Sequence, residues 1–269
     1  MKTTFYPLAL AITIALFTAS CSGKSNQQQE VMSRQNVEEN VREFVYPLPT
    51  AFEVTEMLNR IEAPYILDLC NEQENYEKYL TETKRALNMG IYSTDLCYAS
   101  TYNQQPLVKT YIDIIRKIID ELDMTSAVDP DLPSKIESNE NNKEELTKLI
   151  SESFYDVYDY LNRNNRGPVS LLIVTGSWVE GLYITTHISE ITFENKEMVK
   201  IILSQKEPLL KLMELLSKYD GTESIDAVKA SLADLHTIYS SVDEGSITEA
   251  QIEQIKSNIN KVRSEMIQF

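Results

Sequence analysis

Residues 167–191 read GPVSLLIVTGSWVEGLYITTHISEI, and their apolar side chains leave no polar face at helical spacing. Leu171, Val174, Trp178 and Leu182 fall on one face of a 3.6-residue helix, and Val169, Leu172, Ile173, Val179, Tyr183 and Ile184 fall on the others. A helix that is apolar all round has to be buried on all sides. Gly167-Pro168 punctuates its start, since Gly suits the cap of a preceding helix and Pro the first turn of the next. One line is small: Ser170, Ser177 and Gly181, with Gly176 beside them, so a second backbone is expected to approach closely there. The chain must therefore supply a shell of helices around a central helix spanning residues 168–190.

The best partner is the second half of a long helix expected over residues 74–103. In it Gly90, Thr94, Cys97 and Thr101 form a small stripe, and Leu87, Ile91, Tyr98 and Tyr102 form a bulky one with Asp95 at its margin. Gly90, Tyr92 and Leu96 also match Gly176, Trp178 and Leu182 in spacing, a resemblance too short to establish a duplicated unit. Amphipathic helices are predicted from Pro106, from Lys143 and from Asn195, the last interrupted at Pro208. Two more follow, through Ile225 to Val242 and through Ile252 to Met266. The narrow apolar seam of the last places it on the outside. Capping boxes are expected at Thr50–Glu53 and Ser246–Glu249, and loops over 125–133 and 139–142. Nothing alternates at period two for long. The fold class is all-α, a multi-helix bundle or stacked helical hairpins, with residues 46–269 forming one domain.

The chain's 41 acidic and 25 basic residues give a net charge of −16, which excludes a nucleic-acid partner, because phosphate binding needs a basic surface. The N-terminus differs from the rest. Lys2 precedes an apolar run over 8–17 that is too short to span a bilayer, and Thr18-Ala19-Ser20-Cys21 follows it. This resembles a bacterial lipoprotein signal peptide, although Thr18 stands where that pattern usually has Leu. The resemblance implies a signal peptide over 1–20, lipid on Cys21, and membrane attachment through those acyl chains. Residues 21–45 are polar and read as a tether. Ser22 in place of Asp implies the outer membrane, facing the periplasm. The stretches YPLPTAFEVTEMLN, GIYSTDLCYASTYNQQ and GSWVEGLY resemble helical lipoproteins of Gram-negative bacteria, a likeness that supplies no activity.

No residue pattern assigns catalysis. His187 and His236 have no metal-ligand spacing, Gly176-Ser177-Trp178 lacks the flanking glycine of a nucleophile elbow, and no glycine-rich phosphate loop occurs. No metal, cofactor or catalytic residue is expected. Asp95 and Glu180 are the carboxylates of the two most buried stretches, and structural hydrogen bonding is their expected role. An oxidising compartment permits a disulfide between Cys70 and Cys97, while the place of Cys97 on a packing stripe favours a free thiol. The composition and motifs lead to a non-catalytic binding or scaffolding protein with a protein partner. The alternative is a sensor or carrier of a small amphipathic ligand, in a tyrosine-lined pocket of Tyr98, Tyr102, Asp95, Trp178 and Glu180.

Overall fold

The computed structural model describes residues 51–139, 142–188, 194–242 and 246–268. The expectations for Cys21 and the 21–45 tether lie outside these residues, and so does Thr50 of the expected Thr50–Glu53 cap. The described helices belong to one compact unit, Val45–Phe269. Among the described residues there are ten α-helices and no strand, so the fold is an all-helical bundle of stacked helices.

Helix α1 (Ala51–Arg60) ends before Pro64 and leads into two 3-10 turns, Leu67–Leu69 and Gln73–Lys78. The long helix expected from residue 74 begins instead at Glu82, giving α2 (Glu82–Thr101). Thr81 is the reason: its hydroxyl accepts the Lys84 amide at 3.2 Å and caps the helix there. The turn before it faces inward with Asn75 and Tyr79. Helix α3 (Gln105–Glu121) carries Pro106 in its first turn. The stretch expected as a loop over 125–133 contains a 3-10 turn, Thr125–Ala127, and the start of a short helix, α4 (Leu132–Ser138).

Asn142 caps α5 (Lys143–Arg163) by accepting the Glu145 amide at 3.2 Å. Helix α6 (Gly167–His187) follows, then α7 (Lys196–Ser204), capped by Asn195, and α8 (Lys206–Leu216). The break between α7 and α8 falls at Gln205, which puts Pro208 in the first turn of α8, where its missing N–H costs nothing. Gly221, at φ +89°, turns the chain into α9 (Glu223–Ser240). Helix α10 (Glu249–Ile267) does carry a capping box, but two residues later than expected: Thr248 and Gln251 satisfy each other, not Ser246 and Glu249.

The centre is the α2–α6 pair. A Cβ at Gly90 would sit on the Ile173 carbonyl oxygen and 2.6 Å from the Ser177 nitrogen, and a Cβ at Gly176 would sit on the Leu87 carbonyl, 2.8 Å from its carbon. The backbones touch where both helices are small. Thr94 and Ser177 join their hydroxyls across the same contact at 3.0 Å. Gly181 does not belong to it; a Cβ there would meet nothing within 4 Å. Helix α6 is long and apolar enough to cross a membrane, yet most of it is buried in the protein, as the core helix of a bundle is. Helix α1 joins α2 through Thr55 and Thr101, whose hydroxyls lie 3.0 Å apart. Helix α10 lays Ile252, Ile255, Ile259, Val262 and Met266 inward, and Arg263 beside them.

Candidate functional site

Arg263 leads to the most unusual part of the core. It leaves α10 among aliphatic neighbours and reaches Glu180 on α6 with two bonds, Nε to Oε2 at 2.6 Å and a terminal nitrogen to Oε1 at 2.8 Å. The same terminal nitrogen donates to the Leu69 carbonyl at 2.8 Å. Glu180 is wholly buried and Arg263 is 7 % exposed. A charge in such a place has to be paired, and the bidentate fork meets that need. The guanidinium also lies 4.1 Å from the centre of the Tyr183 ring, which stacks on His187 at 4.2 Å.

Asp95 on α2 is the third member. Its Oδ2 accepts the Asn71 amide at 3.0 Å, while Oδ1 meets no donor. Its carboxyl is within hydrogen-bonding reach of Glu180, and burial first, then the Glu180 charge, hold it as an acid far above the usual carboxylate range. The two carboxylates singled out in the sequence thus do meet. From Asn71 a chain of side-chain bonds runs to the end of α10. Asn71 Nδ2 donates to Tyr79 at 3.0 Å and to Asn88 at 3.2 Å, and Asn88 Nδ2 donates to the Met266 carbonyl at 3.1 Å. Lys84 adds bonds to the carbonyls of Glu265 at 2.8 Å and Gln268 at 2.5 Å. These satisfy carbonyls that a helix end leaves without partners.

Six tyrosines gather in two clusters, all buried except Tyr65 and Tyr102, which are half-buried. In one, Tyr65, Tyr98 and Tyr102 have ring centres 4.7–5.6 Å apart. In the other, the Tyr92 ring lies 6.5 Å from Tyr79 and 6.1 Å from Tyr111. Their hydroxyls are spent on the protein itself: Tyr98 donates to the Pro64 carbonyl at 3.1 Å, Tyr102 to that of Ala63 at 2.7 Å, and Tyr92 to that of Glu72 at 2.8 Å. Trp178 is 6 % exposed, and its indole nitrogen has no partner. Asp95, Glu180 and Trp178 are buried in the same core as Tyr98. Cys70 and Cys97 are free and buried, not bridged. The Cys70 sulfur lies 3.8 Å from the Tyr65 hydroxyl, and burial with the nearby Asp95 pushes the Cys97 thiol up to about 12. His187 turns Nδ1 to the Tyr183 carbonyl at 2.9 Å, while both Glu180 oxygens accept from Arg263.

A groove is lined by residues of α2, α3, α4 and α5. It encloses about 360 Å³ and is lined by Met89 and Leu96 of α2, Ile115 and Ile119 of α3, and Ile150 and Phe154 of α5. Arg116, Asp120, Thr125 and Asp129 stand among its polar lining residues. A second hollow of about 210 Å³ shares Ile112, Arg116, Pro133 and Ile136 with it and adds Lys109. No tyrosine lines either. The sequence held a signal for this groove: Ile112 and Ile115 lie on the margin of the α3 face that carries Ile118 and Ile119, and both stay half-buried. Arg263 had a weaker one, as a charge set between Ile259 and Met266 on the buried seam of α10. Among the described residues no group of His, Cys, Asp and Glu is arranged to hold a metal ion. Comparison with protein-family models, with curated proteins and with solved structures finds no match.

Proposed function

We propose that this chain is a small-molecule sensor or carrier, an all-helical domain whose ligand lies in the groove over α2, α3, α4 and α5. The groove itself carries the reading. It is concave, its lining is mainly apolar, and it has a few charged groups among that lining, which is how a site for a small amphipathic molecule is built. The tyrosine clusters support it by keeping the neighbouring core rigid, with their hydroxyls already paired. A scaffolding role through an apolar docking face has less support, since Leu67 and Leu80 are the large apolar residues left exposed among the described ones.

A naphthalene-sulfonate fluorophore, titrated into the full chain, tests the groove. Its emission should rise on binding and the melting temperature should increase with its concentration. Ile115→Trp should fill the groove and abolish both responses, while Leu80→Ser leaves them unchanged. Equal responses in wild type and Ile115→Trp would place the binding elsewhere and reject the groove.

The same proposal holds the domain at a bacterial outer membrane, through lipid on Cys21. Support comes from the sequence: the apolar run over 8–17, the small residues before Cys21 and the polar residues after it. Mass spectrometry of the N-terminal peptide from cells should find Cys21 first and acylated, and Cys21→Ala should move the protein out of the detergent phase. An unmodified N-terminus that starts elsewhere would reject the anchor without touching the groove.

A further inference from the structure

The charges around Asp95 do not balance if every group ionises in its ordinary way. From α6 it faces Glu180, and from α10 it faces Arg263. From the segment before α2 it faces Tyr65 and Cys70, from α3 Tyr111, and from its own helix Tyr92, Cys97 and Tyr98. Burial keeps each of these phenols and thiols neutral. Two carboxyl groups are left with one guanidinium. Like charges side by side away from water cannot both persist.

The hydrogen bonds point the same way. Arg263 occupies both oxygens of Glu180, and the Asn71 amide occupies Oδ2 of Asp95. Oδ1 of Asp95 is left without a donor, although Asp95 and Glu180 are both wholly buried. Two acceptors that meet in a dry core are satisfied only when a proton lies between them. With that proton on Asp95, one hydroxyl donates to Glu180, one carboxylate faces one guanidinium, and no polar atom of the trio is orphaned.

We propose that the folded domain binds one proton between Asp95 and Glu180, enclosed by α2, α6 and α10, and that this proton is a condition for α10 docking through Arg263. Its removal leaves two anions against one cation at the point where α10 is fastened. The direction of the pH effect follows from linkage. The folded state holds the proton at a pH where an unfolded Asp has released it. The site's contribution to stability is therefore complete below the ordinary Asp range, and it drains away as pH rises toward the folded-state titration. Within that window the unfolding constant grows about tenfold per pH unit for the one proton. Rising pH loosens α10, and falling pH fastens it.

The full chain can be tested as it stands. The infrared spectrum at neutral pH should show the carbonyl stretch of a buried, protonated carboxyl, and Asp95→Asn should remove it. Denaturant unfolding across about pH 5 to 8 should give an unfolding constant that rises more steeply with pH in wild type than in Asp95→Asn, by up to about tenfold per pH unit. Amide exchange in α10 should follow the same difference. Glu180→Gln provides a second variant: it leaves Asp95 as the carboxylate facing Arg263, so the protonated-acid band should vanish there too. Absence of the band in wild type overturns the proposal whether or not either variant folds. Parallel pH profiles for wild type and Asp95→Asn overturn it as well, as does a band that survives in Glu180→Gln.

Discussion

At the scale of single residues, three glycines of the central pair separate propensity from packing. In a helix interior Gly is about 1 kcal/mol worse than Ala, so each substitution would stabilise if nothing stood in the way. At Gly90 and Gly176 something does, because the new methyl would lie on a main-chain carbonyl of the facing helix, and backbone cannot rotate away as a side chain can. Gly90→Ala and Gly176→Ala should each lose about 1–3 kcal/mol in denaturant unfolding, the usual cost of overpacking. Gly181→Ala meets nothing within 4 Å and should gain up to about 1 kcal/mol. A gain at Gly90 or Gly176 would mean that α2 and α6 stand further apart than described. The sequence marked Gly176 and Gly181 alike as small residues on one helix. Only the crossing of α2, which pairs Gly90 with Ile173 and Ser177, tells them apart. Asp95 and Glu180 were legible in the same incomplete way. Their place in buried stretches could be read, but their meeting depends on Arg263, far along the chain in a helix whose periodic apolar residues otherwise mark it as ordinary.

At the scale of elements, α10 is the helix whose attachment is polar at two points, the Arg263–Glu180 pair and the carbonyls of its last turn. Arg263→Met strands a buried carboxylate and should cost about 3–5 kcal/mol, as the loss of one partner of a buried ion pair does. Combining it with Glu180→Met removes the stranded charge and should recover most of that loss, because the net worth of a buried pair against apolar residues of similar size is small. Chemical denaturation of the two single variants and the double variant would measure the cycle. A double variant as unstable as the sum of the singles would show no coupling between the two side chains, and the stranded charge would not be the source of the cost. The helices were legible wherever the 3.6-residue pattern ran for three turns or more, as in α3, α5, α6 and α9. Helix α4 was not, because seven residues that include Pro133 hold fewer than two repeats of any pattern. The start of α2 was set by one hydroxyl, that of Thr81, against an apolar pattern that continues upstream through Tyr76 and Leu80. The capping box of α10 slid by two residues for the same local reason: the Thr248 hydroxyl and the Gln251 amide fit each other, and either register satisfies the sequence pattern.

At the scale of the whole molecule, the charge of −16 opposes compaction, and the surface ion pairs do little to offset it. Several of those pairs lie within one helix, such as Lys200 with Glu197, Lys211 with Glu214 and Arg163 with Asp159. Pairs of this kind are worth about 0.3–0.5 kcal/mol each and persist as fluctuating local contacts in a partly helical unfolded chain. Repulsion among the excess carboxylates acts over longer distances and is larger in the folded state, where the charges are held closer together. Salt distinguishes the two, since the Debye length falls from about 30 Å at 0.01 M to about 8 Å at 0.15 M. Charges spread over a domain are screened across that range, contacts of 3 Å are weakened much less, and the buried Glu180–Arg263 pair is out of reach. Adding sodium chloride from about 0.01 M to about 0.15 M should therefore raise the melting temperature, by about 2–4 °C for each kcal/mol of repulsion relieved in a domain of this size. Scanning calorimetry of the full chain would read it directly. A melting temperature that falls over the same range would mean that attraction between neighbouring surface charges outweighs the acidic excess.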